Sequence, residues 1–95
     1  MYRWVSLNQL LKYENDIIKE NVSKTARSNG GFLYEYKKYK TSSIMKSAKV
    51  PNENILWEQK RNAFIARTLP AYQANPTYRR WLSLIAWAYY ADKLH

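Results

Sequence analysis

The stretch NPTYRRWLSLIAWAYYA, residues 75–91, decides the fold. Tyr78, Trp81, Leu82, Ile85 and Tyr89 recur at i, i+3, i+4, i+7 and i+11, the spacing of one face of an α-helix. Leu84, Trp87, Ala88 and Ala91 fill much of the remaining circumference, which predicts a helix with protein on most sides. Asn75-Pro76 marks its start, because proline at the first helical position gives up no needed donor and already has a helical φ. The nearly apolar run Trp81 to Ala91 is 11 residues long, against about 20 for a membrane-spanning helix. It therefore predicts a buried or interfacial helix and no membrane span.

Working outward, Asn52 is a candidate cap for a helix over about residues 53–69, anchored by Leu56, Trp57, Phe64 and Ile65 and ended or kinked by Pro70. Thr41, Ser42 and Ser43 are candidate caps for a brief helix through Ala48, which Pro51 stops. Residues 32–40 read two ways: Phe32, Tyr34 and Tyr36 alternate as in a strand, whereas Leu33, Tyr36 and Tyr39 fit successive helical turns. A short extended piece near residues 32–38 leading into a helix is the expectation. Ser6 and Gln9 have the capping-box form, and Leu10, Tyr13, Ile17, Ile18 and Val22 then predict a first helix over residues 7–27. Asn29-Gly30-Gly31 breaks it. The fold class expected is all-α, a small bundle of four to five helices forming one domain over residues 1–95.

Charge narrows the function class. The chain has 16 Lys and Arg against 7 Asp and Glu, a formal net charge of +9. Residues 1–23 and 81–95 are each neutral, so the excess lies between Lys24 and Arg80, where 12 basic residues face Glu35, Glu53 and Glu58. Such a concentration favours an anionic partner. Cysteine is absent, which removes disulfides and thiolate chemistry. The first 11 residues interleave Ser6, Asn8 and Gln9 with apolar positions, unlike the continuous core of a secretory signal peptide.

Two basic constellations are candidate anion or nucleic-acid contacts. Lys37, Lys38 and Lys40 alternate with Tyr34, Tyr36 and Tyr39, a pattern that can stack bases and hold phosphates. Lys60, Arg61 and Arg67, followed by Arg79 and Arg80, offer guanidinium forks for phosphate or carboxylate. The same tyrosines with Trp57, Tyr78, Trp81 and Trp87 are candidate interface aromatics. Two basic helices across a short turn also permit a helix-turn-helix reading, which the Pro70 connection disfavours. No catalytic residue, metal site or cofactor is expected. The one histidine is the terminal His95, and Asp16 with Glu20 makes a poor metal site.

Residues 34–90 carry, in order, the Tyr/Lys cluster, Thr41-Ser42-Ser43, Val50-Pro51, Trp57, Lys60-Arg61, Phe64-Ile65-Ala66-Arg67, Asn75-Pro76-Thr77-Tyr78-Arg79-Arg80-Trp81 and Ala86-Trp87-Ala88-Tyr89. This succession resembles small basic proteins encoded by large nucleocytoplasmic DNA viruses, some of them virion components. The resemblance implies a non-enzymatic minor capsid or core protein, in the virion or the host cytoplasm, packed against neighbouring capsid or core proteins. DNA or RNA is the other partner class. A free nucleic-acid-binding protein and a small inhibitor docked on an enzyme are the alternatives.

Overall fold

The computed structural model describes residues 2–95. Seven helices lie among them: α1 (Leu7–Leu11), α2 (Glu14–Lys19), α3 (Lys24–Arg27), α4 (Phe32–Tyr39), α5 (Ser42–Ser47), α6 (Trp57–Ala74) and α7 (Tyr78–Ile85). The all-α class stands, with more helices than the four to five expected.

The extra helices come from the N-terminal third. Ser6 caps α1 as its position predicts, its Oγ accepting from the Gln9 amide at 3.2 Å. The single helix over residues 7–27 is instead three short ones, with Asn21 and Ser23 in the left-handed region at φ 53° and 51°. A straight helix of that length would run about 31 Å, close to the molecule's longest dimension of 34 Å. Folding it back lets Leu10, Ile17, Val22 and Ala26 all reach one core.

The Asn-Gly-Gly break falls where the sequence puts it, and the two glycines act differently. Gly30 adopts φ 83°, which favours a residue without Cβ. Gly31 is pressed against α3: a Cβ there would lie 2.1 Å from the Thr25 carbonyl oxygen and 2.6 Å from that of Ala26. After it the expected extended piece is helical. Phe32, Leu33 and Tyr36 share one face of α4 and are fully buried, while Tyr34 points out; burying three large side chains outweighs the alternating pattern.

Lys40, left-handed at φ 71°, closes α4, and the Thr41 hydroxyl accepts from the Ile44 amide to open α5. The next helix starts at Trp57, not near residue 53. Asn52 is no cap but the left-handed tip, φ 64°, of a narrow loop. That loop is held by bonds from the Val50 amide to the Ile55 carbonyl and from the Trp57 amide to the Ala48 carbonyl, at 3.0 and 2.8 Å. Gln59 Oε1 accepts from the Leu56 amide at 2.9 Å and opens α6.

Pro70 does not end α6, which continues to Ala74. Pro70 and Ala66 are both exposed, so the carbonyl that loses its helical donor meets solvent. Thr77, not Asn75, caps α7 through its bond from the Arg80 amide at 3.1 Å, and Pro76 precedes the cap.

As the sequence predicts, α7 is enclosed: Trp81, Leu82, Leu84 and Ile85 are fully buried. It stops six residues early. Ala88 turns left-handed at φ 62°, with bonds from the Tyr89 amide to Leu84 and from the Ala88 amide to Ile85, a Schellman closure with alanine in the usual glycine place. Trp87 then folds into the core, stacked on Phe64 and Phe32 at centroid distances of 4.5 and 5.0 Å.

Two glycine substitutions separate these effects. Gly31→Ala drives a methyl into backbone oxygens and should cost about 3 kcal/mol or more in urea denaturation. Gly30→Ala, with nothing within 4 Å of the added carbon, should cost only about 1 kcal/mol. Equal losses would contradict the assigned roles.

Candidate polyanion-binding surface

The sequence marks eight cationic side chains as anion contacts, and the fold gives most of them other work. Arg61 is the clearest correction. It is fully buried, and every N–H of its guanidinium is used. Nε donates to the Trp87 carbonyl at 3.0 Å; Nη1 donates to the Tyr2 carbonyl and Asn62 Oδ1 at 2.8 and 2.9 Å. Nη2 donates to the carbonyls of Arg3 and Ala88 at 2.7 and 2.8 Å. One face of the group lies over the Trp4 ring, 4.5 Å from its centroid. Burial pulls the Arg61 pKa down to about 10, with Glu58, Tyr36 and Tyr89 pulling the other way, so the group is charged at neutral pH. No edge is left for an external anion.

Lys37 pairs with Glu14 across α4 and α2, and Lys60 pairs with Glu53 across the loop before α6. Arg79 donates to the carbonyls of Glu20 and Asn21, closing the end of α2, and Arg80 donates to the Asn75 carbonyl at 3.2 Å. Lys38, Lys40 and Arg67 are exposed. Lys38 and Lys40 lie at the end of α4, whereas Arg67 is on α6.

The aromatic predictions divide in the same way. Trp57, Trp81 and Tyr36 are core residues at 1% exposure or less, and Trp87 is at 7%. Trp81 Nε1 donates to the Ala91 carbonyl at 2.9 Å, and the Tyr36 hydroxyl to the Val5 carbonyl at 2.7 Å. Desolvation raises the Tyr36 pKa. Tyr34 is exposed and Tyr39 half-buried. With Tyr36 turned inward, Tyr34, Tyr36 and Tyr39 do not form a stacking platform for unpaired bases.

His95, which the sequence offered no reason to hold in place, is held: its Nδ1 lies 3.0 Å from the Tyr72 hydroxyl and its ring beside Tyr78 and Trp81. Among the described residues no three His, Asp or Glu side chains converge as metal ligands, and no helix is long and apolar enough to cross a membrane.

What emerges as a surface is the α4–α5 hairpin. From Tyr36 to Asn52 the chain has five lysines, Lys37, Lys38, Lys40, Lys46 and Lys49, and no acidic residue. Lys40 precedes α5, a helix about 9 Å long, and Lys46 lies in its last turn, with exposed Thr41, Ser43 and Ser47 between and beside them. Lys46 Nζ sits 5.9 Å from the Trp4 ring centroid, which ties this surface to the indole that also carries Arg61. Sequence reasoning missed Lys46 and Lys49 because they lack neighbouring tyrosines. The acid-free interval from Glu35 to Glu53 was the signal that could have found them.

Tyr78 is exposed at 36%, but its hydroxyl donates to Asp16 Oδ2 and links α7 to α2. That bond, with desolvation and the Asp16 charge, pushes its pKa up to about 12 from 10.0. Comparison of the chain with protein-family models, curated proteins and solved structures returned no match.

Two outcomes follow. Arg61→Lys cannot supply the planar fork that meets four carbonyls, and together with Arg61→Met it should lower stability by about 3–5 kcal/mol by urea denaturation; a lysine variant of wild-type stability would contradict the clasp. For Tyr78, the unfolded chain loses its phenolic proton near pH 10 while the folded chain keeps it to about 12. Stability therefore falls as pH rises through that interval. Tyr78→Phe should flatten this part of the stability profile and remove one late-titrating tyrosine from the tyrosinate absorbance curve.

Proposed function

We propose that the protein works by binding, as a non-enzymatic component of a larger assembly that grips an anionic surface with its α4–α5 hairpin. The observation that carries this reading is the acid-free interval from Tyr36 to Asn52, in which Lys38, Lys40 and Lys49 are exposed and Lys46 is half-buried along α4, α5 and the turn after it. Three of the seven acidic side chains are engaged within the fold: Glu14 with Lys37, Glu53 with Lys60, and Asp16 with Tyr78. The finer reading, a minor capsid or core protein of a DNA virus, rests on the resemblance of residues 34–90 and on the charge.

Two features favour an acidic protein surface or a duplex backbone over unpaired bases. The tyrosines lack a common exposed face, and Ile44, 54% exposed on α5, adds an apolar contact among the lysines. A free duplex-binding role is the second reading. It predicts affinity falling by about 0.9 log units per log unit of salt for each phosphate neutralised.

The test is retention on immobilised heparin. Replacing Lys38, Lys40, Lys46 and Lys49 with Gln should release the protein at clearly lower salt than replacing Arg3, Lys12, Lys19 and Lys24, which removes the same charge elsewhere. Equal loss of retention in the two variants would show that net charge alone does the binding and would remove the hairpin assignment.

A further inference from the structure

A second candidate contact surface lies between α2 and α4; Lys37 borders it, and Lys38, Lys40, Lys46 and Lys49 do not. Ile18 and Tyr34, 51% and 44% exposed, are two of the chain's large exposed apolar side chains, and both border one groove. The groove encloses about 250 Å³, with buried Leu33 as its apolar floor and Glu14, Arg27 and Lys37 around it. Single exposed apolar residues are ordinary, whereas two around a concave floor mark a place where a partner side chain gains by leaving water. The Lys37–Glu14 ion pair spans its two walls.

Arg27 supplies the polar half of the surface. Its Nε donates to the Val22 carbonyl at 3.2 Å and its Nη2 to Asn21 Oδ1 at 2.9 Å. These two bonds hold the guanidinium in place. Its Nη1 has no partner among the described residues. A fixed arginine edge beside an apolar slot is the pairing that concentrates binding energy at interfaces, since little ordering of the side chain remains to be done on binding. The groove's charge is one acid against two bases, inside a chain of net charge +9.

We infer that the α2–α4 groove docks an acidic protein segment. An apolar side chain of that segment packs on Leu33 between Ile18 and Tyr34, and a neighbouring carboxylate accepts from Arg27. This surface adds a site-specific contact to the diffuse attraction of the lysine hairpin, and it stands whether or not the hairpin reading does.

Amide and arginine NMR of the full chain tests it with three acetylated, amidated pentapeptides. The first has leucine between two pairs of aspartates; the second replaces leucine by serine, and the third replaces the aspartates by asparagines. The first peptide should shift residues 14, 18, 27, 33, 34 and 37 saturably, and each of the others should bind there roughly fivefold or more weakly. Ile18→Ser with Tyr34→Ser, both at exposed positions, should abolish these shifts at an unchanged melting temperature. Arg27→Gln should erase the preference for aspartate over asparagine.

Shifts confined to residues 38–49 and indifferent to leucine would keep the hairpin reading and overturn the groove. Groove shifts that persist in the Ile18/Tyr34 double variant, or no shift anywhere, would overturn it too. Movement of the groove residues with protein concentration alone would place a second copy there and overturn the acidic-segment assignment.

Discussion

The buried guanidinium of Arg61 is the constraint on which the rest of the structure depends. Four carbonyls from two distant stretches, residues 2–3 and 87–88, converge on one cation held over Trp4. Carbonyl groups released by a left-handed turn and by an extended N-terminal segment have no helical donors of their own, and burying them unpaired is costly. Arginine is the one side chain with enough fixed donors to satisfy them together. The clasp also explains why Ala88 tolerates its backbone conformation, since its carbonyl accepts from Arg61 and from the Val5 amide.

Around this point the aromatic residues form the core. Phe32, Phe64 and Trp87 stack, Trp57 meets Phe32 edge-on, and Trp4 bridges Phe32 and Tyr36. A chain of this size has little interior, and large rings bury much area per residue ordered. The tryptophans are thereby explained by stability. In the proposed binding role, recognition would fall to the lysines and to the few apolar side chains left outside, Ile18, Tyr34 and Ile44 among them.

The sequence revealed the helical class, the caps at Ser6 and Thr41, the Gly30-Gly31 break and the enclosed last helix, because each rests on interactions within a few residues. It misplaced what depends on distant partners. The bend at Asn21 and Ser23 exists so that Val22 and Ala26 reach the core. Arg61 resembled Lys60 beside it, and only the fold shows that one is buried against residues 2–3 and 87–88 and the other is paired at the surface with Glu53. Lys46 and Lys49 were legible only as an absence of acid around them.

The account holds that positive charge is divided between an inward clasp and an outward hairpin. Nitrogen-15 NMR of the arginine and lysine side chains, recorded with and without saturating heparin, observes both at once. Arg61 should show separately resolved, slowly exchanging Nη protons that heparin leaves in place, while the Nζ signals of Lys38, Lys40, Lys46 and Lys49 move. Rapidly exchanging Arg61 protons, or an Arg61 signal displaced by heparin as far as those of the lysines, would contradict that division.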